Sequence, residues 1–316
     1  MHSFKLRRSI LSAGRGALVA LLTLSSIADA QMASDAGAYV WALDIRAPNG
    51  QHNLLMGSLH VPDRDLRQPA QTILRSYRVL VTEHEDVDAG VTPAVSWREA
   101  LTADDVAMLR QQMQCMAPLA PATAVDNVLT RVLTQPTPLE AIQLAYQRCA
   151  SAGYASRDAI VERAGMRYGL KPAYLETPEQ AGDAPRALAR EVGAAVSGQS
   201  VHFALSPAAM KAQADLVDAV NAGDYDAASA ALDRSLAGAG INPAVSDDIM
   251  VRQRNVNWMT TLPPLLDQGG AFILVGVAHL PGHGGLIALL RARGYLVRPV
   301  KVPAGQGKLD DANGTL

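Results

Sequence analysis

Two histidines near opposite ends of the chain sit in nearly the same phrase, "MGSLHVPD" at 56–63 and "VGVAHLPG" at 275–282. Each reads Gly-x-x-His, then Val or Leu, then Pro, and each follows a short apolar run. Imidazole nitrogens suit a divalent metal or a proton relay, so His60 and His279 are candidates for either role. Carboxylates fall at comparable places. Glu83 closes "RVLVT", Glu85 follows on the same face of an extended chain, and Glu176 closes "PAYL". Gathered on one rim, such a set binds a divalent ion with a position left for water, or supplies a general base without metal.

The flanking residues fit that picture. Gly57 and Gly276 stand three residues before their histidines, where a side chain would block a ligand or a second backbone. Pro62 and Pro281 end each strand just after its histidine. The run from Pro281 to Gly285, which includes His283, opens a helix whose first N–H groups suit a carboxylate or a developing oxyanion. In "IMVRQRNVNWM" (249–259), Arg254 and Asn255 are candidates to meet a substrate carboxylate or to orient Glu83. One Gly-x-x-His alone is ordinarily a turn with a satisfied histidine, and a basic helix face is ordinarily solvated. Two copies with glutamates at matching strand ends are harder to dismiss.

The elements that must position these residues are strands at both ends and helices between. "AYVWALDIRA" (38–47) and "HNLLMGSL" (52–59) flank Pro48-Asn49-Gly50 and read as a hairpin. A helix is expected over 69–77 and a strand over 78–85. Helical periodicity fills 97–168, with starts at Thr102 and Thr137, and "KPAYLET" (171–177) is a lone strand. Helices follow at 178–197, 206–221, 225–236 and 244–267. The end returns to strand (271–278), helix (284–294) and strand (295–302), with 303–316 as a disordered tail. This alternation predicts an α/β fold, a mixed central sheet flanked by helices, with a large helical insertion at about 97–168 and 178–267. In such sheets ligands bind beyond the carboxyl ends of the strands.

Composition narrows the class. The first 30 residues carry Lys5, Arg7, Arg8 and Arg15, an apolar run from Ala17 to Leu24, and Ala28-Asp29-Ala30. They read as a secretory signal, with the Arg7-Arg8 pair hinting at twin-arginine export, and place the mature domain (31–302) in the periplasm or outside the cell. No later stretch is apolar for long enough to be a transmembrane segment. A net charge of −2 with 4% aromatics gives no nucleic-acid signature. Cys115 and Cys149 are the only cysteines, and in an exported chain an even count points to a disulfide, here between two helices. Asp88 stands where a His-Glu-x-x-His zinc site needs its second histidine, and no Gly-x-Ser-x-Gly elbow or phosphate loop occurs. His84 faces away from the Glu83 side and reads as structural.

Taken together, "LLMGSLHVPD", "RVLVTEHED", "GLKPAYLETPEQ", "RQRNVNWM" and "FILVGVAHLPGHGGLIALLRARGYLVRPV" resemble the TraB/GumN family, which includes the TIKI proteins. The resemblance spans about Ala38 to Val302. It implies a core related to the erythromycin-esterase and ChaN-like folds and a metal-dependent hydrolase acting on peptide or amide bonds. Carried over, His60, His279 and Glu83 are the metal and catalytic set, and Glu176, Arg254 and Asn255 support it. Where relatives often carry an acidic residue after Pro-Gly, this chain has His283. The expected cofactor is a divalent ion, and the expected partner is a peptide or small-molecule substrate. Two alternatives stay open: a metal-free hydrolase like erythromycin esterase, with His60 as general base, and a non-enzymatic envelope protein that binds haem or a polysaccharide intermediate.

Overall fold

The computed structural model describes residues 39–85 and 97–308. The expected signal at 1–30 and the last part of the expected tail, 309–316, lie outside them. Strands β1 (Tyr39–Arg46) and β2 (His52–Ser58) form the expected antiparallel hairpin, with Gly50 at φ 87° in its turn. After β3 (Gln68–Pro69) comes β4 (Val79–Thr82), then β5 (Lys171–Tyr174), β6 (Ala271–Gly276) and β7 (Leu296–Gly305). The sheet has the order β3-β7-β1-β2-β6-β4-β5. One half is antiparallel, while β2, β6, β4 and β5 run parallel. The fold is thus α/β with a mixed sheet. The parallel half sends the ends of four strands, and the residues just beyond them, to one rim.

The helices are α1 (Ala103–Met116), α2 (Ala122–Leu133), α3 (Leu139–Tyr146), α4 (Arg157–Arg167), α5 (Pro178–Ala204), α6 (Pro207–Ala222) and α7 (Tyr225–Gly238). Then come α8 (Pro243–Ser246), α9 (Gln253–Trp258), α10 (Leu262–Gln268) and α11 (Leu286–Ala292). Thr102 caps α1 through a reciprocal capping box with Asp105, as its sequence signature predicts. Among the described residues no helix is long and apolar enough to cross a membrane.

Strand alternation divides the core. Leu55, Ile273 and Val275 face one side of the sheet, against Trp258, Leu262 and Leu286. Leu54, Met56, Phe272 and Leu274 face the other, against Val161 and Ala164 of α4. Every residue of β6 is buried, as a central parallel strand requires. A separate cluster around Trp97, Leu109, Leu129 and Val201 holds the helical region together.

Several boundaries differ from the sequence reading. The segment expected as a helix over 69–77 is a 3₁₀ helix at Gln71–Ser76. The helix expected to continue past Cys149 stops at Tyr146, so Cys149 lies in a 3₁₀ turn rather than a helix. Cys115 and Cys149 nevertheless stand at disulfide distance, with Sγ–Sγ 2.00 Å. Helix α5 runs on to Ala204 and is kinked at Gly193, whose φ of 76° breaks the α pattern. The expected single helix at 244–267 breaks before Leu262-Pro263-Pro264, because proline favours a first helical turn and not an interior. Between α8 and α9 the helix widens to a π-helix over Asp247–Arg252. Strand β7 continues to Gly305, where Ala304 and Gly305 pair with Pro69 and Gln68, so the first residues of the expected tail are sheet.

Candidate functional site

Each parallel strand delivers one polar side chain to the rim. His60 follows β2, His279 follows β6, Glu83 follows β4 and Glu176 follows β5. The first three line a cavity of about 780 Å³ bounded by the sheet rim and helices α3 to α7, and Glu176 lies behind its wall. Glu85 is exposed and takes no part. His84, read as structural, also lines the cavity.

Arg254 is the hub. Its Nη2 donates to Glu83 Oε2 at 2.7 Å and to Glu176 Oε1, and its Nε donates to Glu176 Oε2 at 3.2 Å. Its Nη1 donates to His279 Nε2 at 3.2 Å and to the Met250 carbonyl at 3.3 Å. A guanidinium has five N–H groups, and these contacts occupy all three nitrogens. Arg254 therefore acts on anything in the cavity through its charge, not as the free carboxylate fork that its sequence position allowed. Trp258 Nε1 donates to Glu176 Oε2 at 2.9 Å, and the indole lies under the guanidinium with 4.9 Å from Cζ to the ring centre. Glu176 is only 9% exposed and is absent from the cavity wall, so it anchors Arg254.

His279 is buried against Trp258, with ring centres 4.2 Å apart. Asn255, fully buried, directs its amide nitrogen at the carbonyls of His279 (3.2 Å) and Gly284 (2.9 Å). Its amide oxygen then faces His279 Nδ1 at 2.7 Å. That nitrogen carries the proton, which leaves the Nε2 lone pair toward Arg254. Burial, with the positive charges of Arg254 and His60, outweighs Glu83 and pushes the His279 pKa down to about 3. The ring is neutral at neutral pH.

His60 is in the opposite state. Its Nδ1 lies 3.2 Å from Asp158 Oδ1 and its Nε2 lies 3.5 Å from Glu83 Oε1. The surrounding protein pulls its pKa down, although the ring is 41% exposed onto the cavity. Asp158 and then Glu83 more than offset this, and its pKa stands well above the usual imidazole value. Burial likewise works to raise Glu83, yet the His279 and His60 rings and the Arg254 guanidinium hold it well below the usual carboxylate range. Because His279 is itself neutral, His60 and Arg254 carry that effect.

Asp158 escaped the sequence reading. It lies on α4, 100 positions from Ser58, in no recognisable motif. Its Oδ2 accepts from Ser58 Oγ at 2.5 Å, and Ser58 Oγ accepts from the His60 backbone N–H at 3.3 Å. His60 has φ 59°, the only positive value at a non-glycine among the described residues. Arg157, the residue before Asp158, is buried and donates to the carbonyls of Gly57 and Arg67 on either side of this turn. The only sequence signal was Ser156, which caps α4 and so places Asp158 in its first turn.

The two motif glycines do different things. A Cβ on Gly57 would meet Leu280 and Val277 at 3.1 Å, so that glycine permits packing and is not part of the cavity wall. A Cβ on Gly276 would lie 2.7 Å from His60 Nε2 and 3.2 Å from Glu83 Oε1, so it keeps the centre of the site open. The Gly276 N–H donates to Glu83 Oε1 at 2.6 Å. His283 is exposed and outside the cavity.

The donors proposed for a metal stand close together: Glu83 Oε1 is 3.5 Å from His60 Nε2 and 3.9 Å from His279 Nε2. Metal–ligand bonds of about 2.0–2.2 Å in a tetrahedron set ligand atoms roughly 3.3–3.6 Å apart. As folded, however, Arg254 already takes up His279 Nε2 and Glu83. Among the described residues no group of three or more His, Cys, Asp or Glu is arranged to hold an ion. A model of the TraB/PrgY/gumN family matches residues 44–299 of the chain. No curated protein and no solved structure matches it.

Proposed function

The chain belongs to the TraB/PrgY/gumN family, and from that premise we propose that it hydrolyses amide or ester bonds, with His60 as proton donor. The observation that carries the reading is the facing pair His60 Nε2 and Glu83 Oε1, 3.5 Å apart over the bare Gly276 backbone at the cavity wall. A water beside Glu83 adds to the substrate carbonyl and gives its proton to that carboxylate. His60 gives its Nε2 proton to the departing nitrogen or oxygen, and Glu83 returns a proton to His60 across the same gap. Glu83, held low, is a weak base, so the charged imidazole carries more of the acceleration. Arg254 keeps Glu83 ionised and adds positive potential where the oxyanion forms.

Turnover of a panel of activated anilides and esters tests this. His60→Gln and Glu83→Gln, each shown to be folded by circular dichroism, should lose about 10²–10⁴-fold in kcat. Wild-type rates in both variants would contradict the proposal. Activity should also fall as pH rises through the raised His60 pKa, because the donor is then lost.

The spacing of His60, His279 and Glu83 supports a second reading, in which they hold a divalent ion once Arg254 withdraws. Such an ion would polarise the carbonyl and lower the pKa of a bound water. Elemental analysis and chelator sensitivity separate the two readings. We also propose export to the periplasm or beyond, supported by the pattern of residues 1–30 and by the paired cysteines. Mass spectrometry of the mature N-terminus checks it, with cleavage near Ala30 as the expected result.

A further inference from the structure

The cavity extends well past the charged cluster, and its far wall is of another character. Ile142 of α3, Leu216 of α6, Leu232 and Leu236 of α7, and Ile241 line it. Leu232, Ser235 and Leu236 fall at i, i+3 and i+4, one face of α7. The Ser235 hydroxyl is paired with Tyr146 at 2.6 Å. Gln213, one turn before Leu216 on α6, breaks the pattern. It is 6% exposed, it lines the cavity, and its Nε2 has no hydrogen-bond partner. Burying an amide N–H unpaired is costly, and a leucine would fit such a wall at no such cost. A site of this make-up, mostly apolar with a few placed polar groups, is built for a ligand.

We propose that this helical half of the cavity binds a neutral aliphatic arm of the substrate that carries one polar group, met by the Gln213 side-chain amide. The class is an N-acyl amide or acyl ester whose reactive bond lies at His60. Glu140 of α3 also lines the cavity and opposes an arm ending in a carboxylate. The proposal rests on the hydrolase reading only for the position of the reactive bond.

Calorimetry with the full-length His60→Gln variant and N-acyl alaninamides from acetyl to octanoyl tests it without turnover. Kd should tighten about fourfold per added methylene until the chamber is full. The free octanoate anion should bind more weakly than the octanoyl amide. Adding Leu232→Trp, or Leu236→Phe if the first variant does not fold, should shorten the optimal chain. Alaninamides whose acyl chain carries one hydroxyl should bind Gln213→Leu about fivefold to tenfold more weakly than the protein with Gln213, plain acyl chains should not, and the substitution should raise the melting temperature of the ligand-free protein. A Kd independent of chain length, or a hydroxylated chain bound equally well by Gln213→Leu, overturns the proposal. Turnover by the wild type with flat chain-length dependence would defeat this inference and leave the hydrolase standing. Chain-length-dependent binding with a wild type inert on the whole panel would do the reverse.

Discussion

At the scale of residues, one phrase repeated in the sequence produces two histidines with opposite charge states, and neighbours outside the phrase decide which is which. His60 sits between Asp158 and Glu83, while His279 is buried between Asn255, Trp258 and Arg254. These states make stability depend on pH in a defined way. An unfolded imidazole titrates near about 6.5. With a folded pKa of about 3, His279 gives stability that is present above about 6.5 and lost as pH falls toward 3. His60, with a raised folded pKa, gives stability that is present below about 6.5 and lost as pH rises through the raised value. Urea unfolding across pH should therefore show maximum stability near about 6.5. His279→Phe should flatten the acid side of that curve and His60→Gln the alkaline side. Arg254→Leu strands two carboxylates, Glu83 and Glu176, in the interior and should cost about 3–5 kcal/mol by chemical denaturation. A loss under about 1 kcal/mol would show that the carboxylates find other partners.

At the scale of elements, the π-helix at Asp247–Arg252 stands directly before α9. A widened turn alters the phase of the next helix, and Arg254, Asn255 and Trp258 are the residues of α9 that must all face the cluster. Residue type alone marks Arg254 and Asn255 as rim candidates, but nothing in the spacing reveals this turn, because hydrophobic periodicity reads 244–267 as one regular helix. Helix α3 is the other element with a direct bearing on function. It lies within the loop closed by Cys115 and Cys149, 34 positions apart, and it carries Ile142 and Tyr146 into the cavity wall. Closing a loop of that length stabilises by about 3–4 kcal/mol in the chain-entropy model. Reductant should lower the denaturation midpoint accordingly. Hydrogen exchange should rise over residues 116–148 while β6, buried along its whole length, stays protected. Equal acceleration in both regions would show that the bridge holds the whole fold and not one wall of the cavity.

At the scale of the whole molecule, the sheet explains why the site is assembled from distant parts of the chain. The parallel order β2-β6-β4-β5 sets His60, His279, Glu83 and Glu176 along one rim, although they span residues 60 to 279. That much was legible, because apolar runs ending in polar residues mark strand ends locally. Asp158 and Gln213 were not, since each is an ordinary polar residue on a helix and gains meaning only from what the tertiary fold sets against it. Asn255 was legible as a candidate, but its part, holding His279 from outside the cavity wall, depends on hydrogen bonds that spacing does not reveal. Gly276→Ala checks the assembly as a unit. Its methyl would intrude between His60 and Glu83, so activity should fall at least about tenfold with the melting temperature nearly unchanged. A fully active variant would mean that the two side chains need not face each other.

The opposed charge states of the two motif histidines set the direction of the proposed proton transfer, and nitrogen-15 NMR of the labelled imidazoles measures them directly. At pH 7 His60 should be an imidazolium and His279 a neutral ring protonated on Nδ1, with Asp158→Asn returning His60 toward an ordinary titration. A neutral His60 at pH 7 in the wild-type protein would contradict its role as proton donor.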